Sequence, residues 1–186
     1  MRSIGFVLCL VACAAARAQE VTLRTDQGDI VVRLFPEVAP GHARNFVEHA
    51  RSGFYAGTTF HRVVPGFVLQ GGDPNTKDDD PGNDGQGGWS WRGPGTTLAL
   101  EPNDRPHTRG TLSMARSSDP DSAGSQFFIV LADQPQLDRQ YTVFGEVARG
   151  MDVVDRLVAA SAEKPQRLLE VRVGGDLEPL EIAEGD

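Results

Sequence analysis

An all-β fold, an antiparallel barrel or sandwich closed by two helices, is what this 186-residue sequence predicts. Three observations carry that prediction: many short runs of β-branched and aromatic residues, turn-rich connections between them, and only two segments whose apolar residues repeat with the period of a helix. With 39% hydrophobic and 24% charged residues, the chain suits one globular core, and no repeat or linker divides it. Beyond the N-terminus no apolar run is long enough to span a bilayer.

Residues 1–18 stand apart. MRSIGFVLCLVACAAARAQE has a basic start at Arg2, an apolar run over 4–16, and Ala16-Arg17-Ala18 in the A-x-A pattern of a signal-peptidase site. The expected mature chain is one domain over 19–186, 168 residues long, exported to the periplasm. The alternative is lipoprotein processing at LVAC, residues 10–13, which would leave a lipid-anchored Cys13 at the N-terminus. Cleavage after Ala18 removes Cys9 and Cys13, the two cysteines of the sequence, and with them any disulfide, thiolate nucleophile or cysteine zinc site. The mature part carries 16 basic and 26 acidic residues, a formal charge of −10, which argues against nucleic acid or anionic lipid as partners.

Residues 20–25 and 29–35, VTLRT and DIVVRLF, read as two strands joined by a hairpin turn at Asp26-Gln27-Gly28. The period then changes. Over 39–52, Ala43, Phe46, Val47 and Ala50 fall on one helical face, with Pro40 in the first turn and Gly53 just past the end. TFHRVVPGFVLQGGDP, residues 59–74, reads as largely buried strand, in which Arg62 has no carboxylate to pair with before Asp73 at its end. Residues 71–95, dense in Gly, Pro and Asp, form a long loop. Further strands are expected at 111–115, 126–131, 141–147 and 168–173. A second helix is expected at 152–160, with Val154, Leu157 and Val158 on one face.

Several chemistries fail on inventory. DPNTKDDD offers Lys77 where a calcium loop needs its third ligand, and DPDSAG lacks the terminal Glu, so neither is an EF-hand. The glycines of 82–88 lack the Lys-Ser/Thr ending of a phosphate-cradling loop. No G-x-S-x-G elbow is present, and His42, His49, His61 and His107 have no metal-type spacing, so no metal and no cofactor are expected. His61 reads as a strand histidine directed to the face opposite Arg62. Trp89 and Trp91 read as a cover for the barrel side rather than as a ligand platform. Interior Phe46, Phe60, Phe127 and Phe144 leave no room for a small-ligand carrier barrel.

FHRVVPGFVLQGGDP and RGTLSMARSSDPDSAGSQFFIVLAD, followed by YTVFGEVARGMDVVDRL, closely resemble the cyclophilin family of peptidyl-prolyl cis-trans isomerases, over about residues 21–174. With the signal segment, the chain is similar to bacterial exported members. The resemblance implies a closed eight-stranded antiparallel β-barrel capped by two helices, with a groove on its outer face. It places the family's catalytic arginine on Arg62, with Gln70 beside it. Apolar groove contacts fall on Phe67, Val68, Phe128 and Leu137, polar ones on Gln126, and peptide-backbone pairing on Ala115 and Arg116. Tyr141 stands where many eukaryotic members have a histidine, Val68 where methionine is common, and Arg116 where asparagine is common. Gln136 replaces a tryptophan, so weak or absent cyclosporin binding is expected.

The chemistry suits those residues. Rotation about an X-Pro bond faces a barrier of about 18–20 kcal/mol because the nitrogen lone pair is delocalised into the carbonyl. No covalent bond changes, so neither nucleophile nor general base is needed. What is needed is a group that binds the twisted amide better than the planar one. A guanidinium, always charged and presenting a rigid fork of donors, can donate to the nitrogen as its lone pair localises. Gln70 could orient that fork. The expected partners are unfolded or extended proline-containing polypeptides, met by a monomer. The alternative function is a non-catalytic peptide-binding module or holdase on the same barrel, and the alternative for Arg62 is a rim arginine paired to Asp73. No role is assigned to the acidic loop over 72–95.

Overall fold

The computed structural model describes residues 19–174; the expected signal segment lies outside them. Eight strands and two helices follow in the order β1 (Glu20–Thr25), β2 (Gly28–Leu34), α1 (Pro40–Arg51), β3 (Arg62–Val64), β4 (Val68–Gly71), β5 (Thr111–Met114), β6 (Phe127–Val130), β7 (Val143–Arg149), α2 (Met151–Ala160) and β8 (Leu168–Val173). Short 3-10 turns occupy Pro74–Lys77 and Pro135–Leu137. All ladders are antiparallel, in the spatial order β3-β4-β6-β5-β7-β2-β1-β8. No helix of the described residues is long and apolar enough to cross a membrane.

The 59–74 stretch is a hairpin rather than one buried strand. Pro65 and Gly66 turn it, with Phe67 N–H donating to the Val64 carbonyl at 2.9 Å and Gly66 at φ +74°. Proline followed by a residue of positive φ is the chemistry of a type II turn. The hairpin register sets Arg62 opposite Gln70 and Val64 opposite Val68.

The expected closed barrel is corrected: the ladder is open, because edge strands β3 and β8 do not pair. The chain just before β3 does reach β8. Gly57 N–H donates to the Leu168 carbonyl, Leu168 N–H to the Thr58 carbonyl and Phe60 N–H to the Gln166 carbonyl, at 2.8–2.9 Å, around a Thr59–Arg167 bridge. Continuing that pairing into β3 would require Pro165, which has no N–H, and the turn that follows α2.

Two buried clusters follow from strand alternation. Val63, Leu69, Ile129 and Leu112 make one cross-strand row and belong to the main core, which also takes in Phe46 and Tyr55 from α1 and the turn after it. Phe46, Phe60, Phe127 and Phe144 are all buried, as expected, so the interior is packed rather than hollow. Each large side chain buried this way contributes roughly 1.5–3 kcal/mol. Tyr55, also fully buried, donates its hydroxyl to the Ser125 carbonyl at 3.0 Å, and burial pushes its pKa up.

Helix α1 is capped from a distance. Ala39 offers no capping side chain, and the Glu101 carboxylate instead accepts from Gly41 and His42 N–H at 2.9 and 3.0 Å and contacts His42 Nδ1 at 2.7 Å. Trp89 and Trp91 sit on the same helix. Trp89 packs edge-on to Phe54 with 5.4 Å between ring centroids and accepts from His49 Nε2. Trp91 donates its N–H to Asn45 and lies 4.3 Å beneath the Arg44 guanidinium. Both tryptophans thus pack on α1 and the turn after it, where a cover for the barrel side was expected.

Candidate active site

The second cross-strand row lies on the opposite face of the same strands and builds the site: Arg62, Gln70, Phe128 and Ser113 are successive partners across β3, β4, β6 and β5. Cross-strand partners project from one face within contact distance. Two residues along, Val68 pairs with Val130. Val68, Val130, Phe128 and Ala115 form a small buried cluster separate from the main core, with Phe67, Leu137 and Tyr141 packed against it.

This cluster floors a cavity of about 390 Å³ lined by Arg62, Phe67, Val68, Gln70, Ala115, Arg116, Phe128, Leu137 and Tyr141. Nine of the ten residues expected at the site thus share one cavity. The tenth, Gln126, lines an adjoining one of about 240 Å³, which shares Gln70, Ala115 and Arg116 as walls.

Arg62 is exposed on its strand, with its guanidinium carbon 5.5 Å from the Phe67 ring centroid, within cation–π range. The rim-arginine alternative fails on geometry. Asp73 is fully buried and its carboxylate accepts from Asn75 N–H at 2.8 Å and Gly87 N–H at 3.1 Å, not from Arg62. Among the described residues nothing accepts a hydrogen bond from the Arg62 guanidinium. His61 precedes β3 rather than lying in it and is half-buried against Gly85 of the long loop, its two ring nitrogens unpartnered. Burial is the largest influence on its pKa, which is lowered despite Asp73 and Asp84 nearby.

The two glutamines are ordered by the loop. Gln126 Nε2 donates to the Gly87 carbonyl at 2.7 Å and the Gly85 carbonyl at 3.0 Å, so its Oε1 must face the other way. That oxygen accepts from Gln70 Nε2 at 2.9 Å. Gln70 therefore keeps its own carbonyl oxygen for other partners, and no hydrogen bond joins it directly to Arg62. Ala115 N–H donates to the Gln126 carbonyl at 2.9 Å, while the Ala115 carbonyl and Arg116 N–H have no partner among the described residues.

Beneath the apolar wall lies a support that sequence reasoning missed. His107 stacks on Phe128, 6.1 Å between centroids and 18° between planes. Its Nδ1 is 3.0 Å from Asp138 and its Nε2 3.0 Å from Ser113 Oγ, which also lies 3.0 Å from the Thr142 carbonyl. Asp138 follows Leu137 and Thr142 follows Tyr141, so one buried imidazole braces three groove residues. Asp, His and Ser occur here in the order of a hydrolytic triad, but Ser113 is fully buried and no substrate reaches it. Burial lowers the His107 pKa, with Asp138 opposing. Residues 107, 113 and 138 share no sequence period, and only the Gly-rich character of 82–88 hinted that the loop would turn back to the groove.

Tyr141 meets Phe128 edge-on at 5.6 Å and carries the Arg116 guanidinium 4.7 Å above its ring. Gln136 is exposed on the turn before Leu137.

Comparison with known proteins gives a consistent result. Residues 20–174 match the family model described as cyclophilin type peptidyl-prolyl cis-trans isomerase/CLD. The sequence is 43% identical over 155 residues to peptidyl-prolyl cis-trans isomerase B of Bacillus subtilis, covering 82% of this chain and 96% of that one. It is 39% identical over 184 residues to a Brucella suis protein named "Probable peptidyl-prolyl cis-trans isomerase", covering 94% and 91%. The crystal structure of a Cryptosporidium parvum cyclophilin type isomerase superposes with TM-score 0.76 at 30% identity, covering 87% of this chain and 99% of that one. A second structure of that protein, in the presence of the dipeptide Ala-Pro, gives TM-score 0.74 at 31% identity, covering 83% and 98%.

Proposed function

This chain belongs to the cyclophilin-type peptidyl-prolyl cis-trans isomerase family, an enzyme family, and from that premise we propose that it isomerises X-Pro bonds in extended or unfolded exported chains through Arg62. The observation that carries the reading is a guanidinium with no acceptor among the described residues, at the edge of a cavity floored by apolar side chains.

In the proposed mechanism Phe67, Val68, Phe128 and Leu137 hold the pyrrolidine ring. The Ala115 carbonyl and Arg116 N–H pair with the peptide backbone. The carbonyl side of the amide rotates while proline stays in place. As the nitrogen lone pair localises, Arg62 donates to it, and this interaction exists only in the twisted state, so it lowers the barrier. Lowering the barrier by about 4–7 kcal/mol gives roughly a thousand- to hundred-thousand-fold acceleration. One charge-assisted hydrogen bond supplies only about 1.5–3 kcal/mol, and the remainder falls to the apolar clamp and to exclusion of water around Arg62.

Turnover of an X-Pro peptide, followed by NMR exchange in the wild type and Arg62→Ala, tests the reading. Rate enhancement that collapses in the variant is expected. Peptide binding without turnover in the wild type, unchanged in Arg62→Ala, would establish the holdase alternative instead.

Export rests on the basic-apolar-AxA character of residues 1–18, and a periplasmic mature chain starting at Gln19 is proposed. Mass spectrometry of the secreted protein distinguishes this from a lipidated Cys13. With Gln136 in place of an indole, cyclosporin inhibition is proposed to be weak, and a monomer is proposed.

A further inference from the structure

We propose that Arg116 makes this enzyme selective for chains that carry an acidic side chain within about three residues of the proline. The inference rests on the isomerase reading and names the class of peptide that its site prefers.

Arg116 stands where the two cavities meet. The larger has an apolar floor of Phe67, Val68, Phe128 and Leu137 that suits a pyrrolidine ring, whereas the smaller is walled by Gln70, Gln126, Gly87, Gly88, Ser117 and Ser122. The two share Gln70, Ala115 and Arg116, so a peptide with proline in the first presents a nearby residue to the second. At about 3.3 Å per extended residue, one to three residues span that separation.

The guanidinium is held in place before any peptide arrives. It lies 4.7 Å above the Tyr141 ring. Its Nε and Nη2 donate to the Gln140 carbonyl at 3.1 and 2.9 Å, and Nη1 donates to the Ser117 carbonyl at 2.8 Å. All these acceptors are neutral, so the full positive charge remains, and little side-chain entropy is lost when an anion docks against it.

The surrounding charges are one-sided at the groove although the whole chain is acidic, with a formal net charge of −8. No carboxylate lines either cavity, while Arg62 and Arg116 both line the larger one. Arg62 lies on β3 and Arg116 just past the end of β5, strands three places apart in the sheet, on the order of 14 Å at the usual interstrand spacing. Three acidic residues close to the lining in sequence or space bond backbone amides. Asp119 accepts from Asp121 N–H, Asp121 from Leu100 N–H, and the buried Asp73 from Asn75 and Gly87 N–H. An acidic peptide side chain therefore meets an attractive field, and a lysine a repulsive one.

The test is kcat/KM for a peptide series in which Glu, Ala or Lys is moved through the three positions on each side of proline. In the wild type one position should favour Glu over Lys by about five- to twentyfold at low salt, as expected of partly exposed charge pairs. The ratio should shrink toward unity at about 0.5 M salt. Arg116→Lys should retain part of it, and Arg116→Asn should abolish it. Arg62→Ala should lower turnover of every peptide while leaving the Glu preference in place. No Glu preference at any position, or a preference that survives in Arg116→Asn, overturns the proposal. Should no peptide turn over, the isomerase reading fails, and calorimetric affinities of the same peptides still decide the matter: equal binding of Glu and Lys peptides refutes the role of Arg116.

Discussion

Arg62 and Gln70 face each other across the β3–β4 ladder, yet Gln70 gives its amide to Gln126 at 2.9 Å and leaves the guanidinium without an acceptor among the described residues. A cation held in this way has its donors available to whatever enters the groove. Removing it should be costly: Arg62→Ala is expected to lower kcat/KM by about thirtyfold or more, roughly 2 kcal/mol of transition-state stabilisation. Arg62→Lys should recover little, since a point charge lacks the fork. A variant within a factor of two of wild type would remove Arg62 from the mechanism.

The carbonyls of Gly85 and Gly87 dictate which end of Gln126 meets Gln70. Gln126→Glu places a carboxylate against both carbonyls and removes the donors they require, so kcat/KM should fall about tenfold, near the free energy of one lost buried hydrogen bond. A β-carbon on Gly87 would lie 2.3 Å from Asp73 Oδ1 and force the loop outward. Gly87→Ala should therefore lower activity in the same direction while circular dichroism stays that of the wild type. Full activity in both variants would show that the loop does not order the glutamine pair.

His107 braces Phe128, Asp138 and Ser113 together. His107→Phe keeps the ring but removes the imidazole's two hydrogen bonds, while Asp138 keeps the residue-107 N–H and Ser113 the Thr142 carbonyl, so the fold should lose about 1–3 kcal/mol. Urea denaturation measures this directly. An unchanged midpoint would mean that the buried hydrogen bonds carry no net weight.

Glu101 caps helix α1 across 59–60 residues of sequence. Glu101→Ala removes the acceptor for two amides and should cost about 0.5–2 kcal/mol. Glu101→Gln should recover part of that, as read from the shift in thermal midpoint.

Buried histidines, which fold in their neutral form, should weaken the fold on the acid side. Burial lowers the pKa of His42, His49 and His107, against the opposing pull of Glu101, the Trp89 carbonyl and Asp138 respectively. The unfolded chain binds these protons below about pH 6.5 while the folded chain refuses them until lower pH. Stability is therefore fully present above about pH 6.5 and declines as pH falls through that value. The thermal midpoint should drop between about pH 7 and pH 5. Replacing His49 with Gln should flatten part of that slope, and a midpoint independent of pH over this window would contradict the assignment.

Much of this molecule was written locally. Helical period in 39–52, alternation in 20–35, and the run around Arg62 determine their elements, because a side chain's direction follows from backbone geometry alone. Pro65-Gly66 was readable as a turn for the same reason and splits a stretch that composition alone presents as one strand. The two long motifs likewise hold seven of the nine residues that share the larger cavity, Leu137 and Tyr141 lying beyond them. Other features depended on residues far apart meeting in space: the open edge at Pro165, the capping of α1 by Glu101, the His107 brace, and the return of the glycine loop onto Gln126. Pairings of this kind leave no period in the chain, since loop closure brings the partners together and burial then demands that each polar group find one.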